Sequence, residues 1–308
     1  MLPRFLLSII ALYALLYSSP MKQKNYSTLT RVSPPSLLTS LPTPLPTLLR
    51  AFLLAALVLS AVACGLCSCS QNSPASSETT TVPPFYSWDG FSKIGQRYTY
   101  QSASGLADKT GIDVSEAQGQ IDWRAVRADG IRFAFVRVGY RGSTEGGIYL
   151  DDYFVHNLSE AQKAGVECGA YFFSQAVSVE EAKEEAAFVI DALAGTKLEY
   201  PVVFDYEMRA SGINSRVGAV TREQATAIAQ AFCSAVEEAG FDAMVYGNGH
   251  DLGHYDLDAL SRWPRWYAEY GALPSFTESY AIWQYASDGS VAGVNTVVDL
   301  NLDMTPGA

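Results

Sequence analysis

Between residues 109 and 304, short apolar runs alternate with amphipathic stretches, and that alternation lays out the elements. KTGIDVS (109–115), RFAFVRVGY (132–140), ECGAYFFS (167–174), YPVVFDYE (200–207) and DAMVYGN (242–248) have the length and composition of buried strands. Between them, IDWRAVRADG, YFVHNLSEAQKAG and VEEAKEEAAFVIDALAG read as helices stopped by Gly130, Gly165 and Gly195. The third carries its acids in the first turn, where they complement the helix dipole. Thr221 with Gln224 makes a capping-box pattern at the head of a fourth helix, which stops at Gly240. DLDALSRW (256–263) reads as a short helix. After it, RWYAEY (265–270), SYAIWQYA (279–286) and TVVDLNLDM (296–304) read as strands joined by loops.

Strands separated by helices imply βαβ units and a parallel sheet. Eight strands over about 200 residues suit a closed TIM-like barrel whose last helices are reduced. A doubly wound open sheet would place a Gly-rich nucleotide turn after its first strand, and that strand here ends in DVSEAQG. The predicted fold class is therefore α/β, a single irregular TIM-like barrel over residues 109–308.

The first quarter follows another pattern. FLLSIIALYALLY (5–17) and AFLLAALVLSAVA (51–63) are apolar runs, preceded by Arg4 and Arg50 and separated by a Pro-rich stretch. Each is short for a spanning helix, which needs about 20 residues, and suits a signal-peptide core. Ala63 before Cys64, and Leu66 to Ser68 before Cys69, fit a lipoprotein signal in two registers, so Cys64 and Cys69 are the lipid-anchor candidates. A plain signal-anchor or an ordinary cleaved peptide starts from the same run. Met21, followed by Lys22 and Lys24, is an alternative start. Residues 1–69 are thus expected to be an export and membrane-anchor region, and 70–108 a polar tether and lead-in. The expected location is extracytoplasmic, held at the cell surface through the N-terminal segment, with the chain a monomer.

Charge sharpens the division. The 308 residues carry a formal −11. Residues 1–84 hold five basic residues and one acid, which leaves 16 basic and 31 acidic residues, or −15, for 85–308. That balance excludes a nucleic-acid partner, which calls for clustered Lys and Arg. Cys168 and Cys233 fall on a predicted strand and helix face and read as buried thiols. His250 and His254 in GHDLGHY have i,i+4 spacing, but there is no HExxH glutamate and glycines interrupt the segment. No metal and no cofactor are expected.

In a TIM-like barrel the chemistry sits at the C-terminal ends of the strands. Asp113, the pair Asp205 and Glu207, and Asp299 are the acids that fall there, within otherwise apolar runs. Asp205 and Glu207 are two apart on a strand and so share a face. Clustered carboxylates raise one another's pKa values and keep a proton to donate, as general acid catalysis at a glycosidic oxygen requires. Pairing with Arg137, Arg141 or Arg209 is the competing structural explanation. Tyr171, Phe173, Tyr206, Trp266, Tyr270, Trp283 and Tyr285 lie beside the acids and would supply faces for a sugar. NSR (214–216) falls in a loop on the same side.

GIDVSEAQGQIDW, FVRVGYR, GAYFF, PVVFDYE, RWYAEY and WQYASDGSVAGVNTVVDLN occur in the order and spacing of glycoside hydrolase family 25. The body of the chain resembles these Chalaropsis-type lysozymes over about residues 109–304. The resemblance implies an irregular (β/α)5(β)3 barrel. It also implies hydrolysis of the β-1,4 bond between N-acetylmuramic acid and N-acetylglucosamine, with a peptidoglycan strand as partner. By matching motif, Glu207 would be the general acid and Asp205 would orient the substrate's N-acetyl group. Asp113 and Asp299 would line the cleft, and Tyr171, Trp266, Tyr270 and Gln284 would contact sugar. Phe172 and Phe173 follow Tyr171 where many members carry a more polar pair. Same-face strand neighbours are some 6.5–7 Å apart, awkward for direct attack by Asp205, which favours a substrate-assisted, retaining route. A catalytically silent glycan-binding barrel and a hydrolase of another N-acetylated glycan are the alternatives.

Overall fold

The computed structural model describes residues 86–208 and 215–305. The segment 1–69 with Met21, Cys64 and Cys69, the tether up to residue 85, and Arg209 and Asn214 lie outside the described residues. Residues 91–107, read from the sequence only as lead-in, fold as an antiparallel meander. Its strands are β1 (Phe91–Ile94), β2 (Arg97–Ser102) and β3 (Gly105–Ala107). The first turn is the two-residue loop Gly95-Gln96, with Gly95 at φ 61°, a conformation that favours glycine. Phe91 and Tyr98 pack their rings on Trp283, and Trp88 donates its indole N–H to the Pro274 carbonyl.

The barrel then begins with β4 (Thr110–Val114), α1 (Trp123–Ala128) and β5 (Phe133–Arg141). A hairpin adds β6 (Ile148–Leu150), and α2 (Phe154–Lys163), β7 (Glu167–Phe173), α3 (Val179–Ala192) and β8 (Val202–Asp205) follow. α4 (Arg222–Glu238), β9 (Ala243–Asn248), α5 (Gly249–Leu252), β10 (Arg265–Ala268), β11 (Ile282–Gly289) and β12 (Val298–Asp303) complete it. Strands β4, β5, β7, β8, β9, β10 and β11 run parallel in that order, and β12 closes the ring antiparallel between β11 and β4. The barrel is thus parallel through its βαβ units, as the spacing predicts, and mixed only at β12. The loop from β11 to β12 is too short for the crossover that parallel pairing needs.

The capping box at Thr221 and Gln224 forms as the sequence spacing predicts. A correction concerns 256–263, which is a series of turns rather than a helix. Asp256 N–H donates to the Thr226 hydroxyl and the Gln230 amide donates to the Ala259 carbonyl. Side chains of α4 therefore supply partners for the Asp256 N–H and the Ala259 carbonyl and hold the segment in place. The helix at this point is the earlier α5, started by Asn248, whose Oδ1 accepts from His250 and Asp251 N–H. Among the described residues no helix is long and apolar enough to cross a membrane.

Packing divides into two layers. Outward strand positions such as Val136, Phe172 and Phe204 meet the helices, while Phe133, Phe135, Val203, Met244 and Trp266 fill the barrel interior. The interior needs glycine at two points. A Cβ on Gly111 would lie 2.3 Å from the Phe133 ring, and one on Gly169 would lie 2.5 Å from the Phe135 ring. Cys168 and Cys233 are buried free thiols.

Candidate active site

Period two puts alternate residues of each strand inside the barrel. Followed towards the mouth, the inner positions change from apolar to charged. β4 gives Gly111 and then Asp113, and β5 gives Phe133, Phe135 and then Arg137. β8 gives Val203, then Asp205, then Glu207 just past its ladder. β12 runs the other way, so Asp299 reaches the same mouth from the beginning of its strand, directly opposite Asp113 in register.

These residues surround a cavity of about 300 Å³. It is lined by all eight residues singled out in the sequence, together with Arg137, Phe173 and Tyr246. Tyr270 is half exposed at the rim, whereas Trp266 is buried and stacks on Phe135 at 4.5 Å, so it forms the floor. Three aromatics of the sequence reading face elsewhere. Tyr206 lies between Asp205 and Glu207 on the opposite face and bonds the Ala176 carbonyl; Trp283 and Tyr285 flank Gln284 and carry the meander.

Asp113 is the centre of a hydrogen-bond network. Its Oδ2 accepts from Gln284 Nε2 at 2.9 Å and Asn301 Nδ2 at 2.7 Å. Gln284 Oε1 in turn accepts from the Tyr246 and Tyr270 hydroxyls, and Asn301 Oδ1 accepts from Trp266 Nε1. Gln284 thus ties Asp113 to both tyrosines and holds its orientation. Asp299 stands beside Asp113 on the neighbouring strand, so the two carboxyls are close in the same mouth. Asp205 is buried, and its Oδ1 has no hydrogen-bond partner among the described residues.

Burial is the first cause of the electrostatics here, and like charge is the second. Burial, then the charge of Asp299, holds Asp113 well above the usual carboxylate range. Burial, then the charges of Glu207 and Asp113, does the same to Asp205. Asp299 is raised by burial. Glu207 is pushed up to about 7 by burial, then by the charges of Asp251 and Asp299. A group in that range holds a proton near neutrality and can also release it.

The arginines do not neutralise the cluster by direct pairing. Arg137 donates to Asp151 at 2.8 Å and pairs with Glu116 at 3.0 Å, although its charge still opposes the upward shift of Asp205. Arg141 is turned to α3, where it meets Glu184 and Glu185. Ser215 and Arg216 of the NSR motif are pinned to Gln175 and Glu181. His250 and His254 face each other at 6.2 Å between ring centroids. Among the described residues no group of three or more His, Cys, Asp or Glu is placed to hold a metal.

Sequence reasoning missed Arg137 as a lining residue, Asn301 as an orienting one, and Asp251. Asp251 is buried on α5, and its Oδ1 accepts from the Met208 N–H, fixing the chain immediately after Glu207. Its signal was an Asn-Gly-x-Asp sequence at a strand end, with Asn248 as a helix cap.

The model of the family described as Glycosyl hydrolases family 25 matches residues 112–294. The chain is 30% identical over 202 residues to Lysozyme M1 of Streptomyces globisporus, covering 62% of this chain and 66% of that protein. It is 26% identical over 192 residues to the autolytic lysozyme of Clostridium acetobutylicum, covering 62% of this chain and 54% of that protein. The chain therefore spans less than two thirds of the length of either relative. The crystal structure of the bacterial lysozyme from Streptomyces coelicolor superposes with a TM-score of 0.56 at 26% identity, covering 67% of this chain and 95% of that one.

Proposed function

The chain belongs to glycosyl hydrolases family 25, and on that footing we propose that it is a muramidase. It would hydrolyse the β-1,4 bond between N-acetylmuramic acid and N-acetylglucosamine in peptidoglycan. The observation that carries this reading is the group of four carboxylates at one barrel mouth, with Glu207 poised at about 7. The names of its relatives, lysozymes among them, support the choice of substrate.

Glu207 donates its proton to the glycosidic oxygen as the bond from that oxygen to C1 breaks. The carbonyl oxygen of the substrate's own N-acetyl group bonds to C1 from the opposite face, giving an oxazolinium. Asp205, which lines the cavity with Glu207, accepts the acetamido N–H and orients that group. Glu207, now a carboxylate, removes a proton from water, whose oxygen attacks C1 as the bond from C1 to the acetamido oxygen breaks, which regenerates the N-acetyl group and restores the original configuration. Asp113 and Asp299, side by side on β4 and β12, shape the mouth, and Tyr171 and Tyr270 line the space for the sugar, Tyr270 at its rim.

The two apolar N-terminal runs and the Cys64 and Cys69 contexts support a location outside the cytoplasmic membrane, with the barrel tethered through the N-terminal segment. Mass spectrometry of the native N-terminus distinguishes a lipidated cysteine from a retained or cleaved peptide. The catalytic assignment is tested with Glu207→Gln. We expect lysis of purified cell walls to fall at least about a hundredfold while glycan binding persists. Lysis at the wild-type rate would remove Glu207 from the role of acid.

A further inference from the structure

The hairpin of β5 and β6 projects past the barrel and carries aromatic residues that the core does not use. Between Arg137 and Gly139 the register of β5 against β7 shifts by one residue. That bulge reverses the alternation, so Tyr140 stands opposite Phe173, a residue that lines the catalytic cavity. Tyr140 is also paired in register with Tyr149 on β6. Phe173, Tyr140 and Tyr149 therefore form one row on a single sheet face. At ~4.8 Å between neighbouring strands, the row runs roughly 10 Å outward from the cavity.

The row is continuous with the site and partly open to solvent. The Arg137 guanidinium, a cavity-lining group, sits 5.2 Å from the centre of the Tyr140 ring. The Tyr140 and Tyr149 rings are 5.4 Å apart and inclined by 31°, so their faces slope together rather than meeting edge on. Tyr149 is 43% exposed. Glycines hold it in place: a Cβ on Gly147 would lie 2.8 Å from its hydroxyl, and one on Gly139 would lie 2.2 Å from its carbonyl oxygen. The hairpin is thus packed tightly on β5, and Tyr149 is the most open ring of the row, with Tyr140 and Phe173 partly exposed behind it. Aromatic faces next to hydrogen-bonding phenols suit the C–H face and the N-acetyl and hydroxyl groups of a pyranose.

We propose that Phe173, Tyr140 and Tyr149 form a platform that binds the β-1,4-linked N-acetylated glycan strand beyond the catalytic cavity, so that the enzyme grips long strands more tightly than short ones. This rests on the muramidase reading. The test uses full-length Glu207→Gln protein, which binds without cleaving, and peptidoglycan glycan strands freed of stem peptides, from disaccharide to octasaccharide. Calorimetry should show affinity climbing with length. Adding Tyr149→Ala should weaken octasaccharide binding about three- to tenfold, with the loss confined to strands long enough to reach the hairpin. Tyr149→Phe, which keeps the ring, should keep most of the affinity and exclude misfolding as the cause. A length dependence that Tyr149→Ala leaves intact overturns the platform alone. Absence of binding at every length overturns the muramidase reading and the platform with it.

Discussion

Glu207 and Asp251 approach the same problem from two elements. Glu207 follows β8, Asp251 lies on α5, and the Asp251 carboxylate accepts the N–H of Met208, one residue beyond Glu207. Burial is the first reason that Glu207 keeps its proton up to about 7, and the neighbouring Asp251 carboxylate is the second. A general acid is active when protonated, so kcat/KM should fall as pH rises through about 7. Replacing Asp251 by Asn keeps an oxygen acceptor for Met208 but removes the charge. The Glu207 pKa then drops, and the alkaline limb of the kcat/KM profile should move to lower pH by about one unit. An unmoved limb would leave Asp251 a purely structural residue. Asp205 and Glu207 were legible from the sequence because two acids at strand spacing in an apolar run need a reason to be there. Asp251 was not, because its importance depends on α5 folding back towards β8, and no local pattern records that contact.

At the level of elements, the acids that look alike in sequence divide by what they meet. Glu185 lies on the inward face of α3 and is fully buried. It accepts from Arg141 Nε at 2.7 Å and the Ser174 hydroxyl at 2.6 Å, joining α3 to β5 and β7. Burial still pushes it up to about 7. Removing one partner of such a pair leaves the other charge stranded. Glu185→Ala should therefore cost about 3 kcal/mol of stability in a urea titration, with Glu184 and two carbonyls softening the loss at Arg141. A change below about 0.5 kcal/mol would mean that the strap contributes nothing. Helices α2 to α4 were readable because a long amphipathic stretch ending in glycine has few other solutions. β6 and α5, with three and four residues, are too short to carry a period. The meander was hidden because FSKIGQRYTYQS is polar on its outer face, and only the Gly95 turn marked it.

For the molecule as a whole, eight strands with helices lost towards the C-terminus were foreseeable from the spacing of apolar runs. Closure was not: β12 pairs with β4 across nearly the full length of the barrel sequence, a contact that depends on ring geometry rather than local propensity. That closure brings Asp299 opposite Asp113 and turns acids scattered over almost 190 positions into one site. It also explains why only part of the −15 carried by residues 85–308 is chemically engaged at the mouth. Many other acids serve caps and ion pairs with Arg97, Arg137, Arg141 and Arg216. At the mouth Glu207, with a pKa of about 7, stands among the buried carboxyls of Asp113, Asp205 and Asp299. Its chemistry is read most directly in the first product. Proton NMR during digestion of purified peptidoglycan should show new reducing ends of N-acetylmuramic acid appearing first as the β anomer. Reducing ends of N-acetylglucosamine, or a first product in the α configuration, would contradict this mechanism.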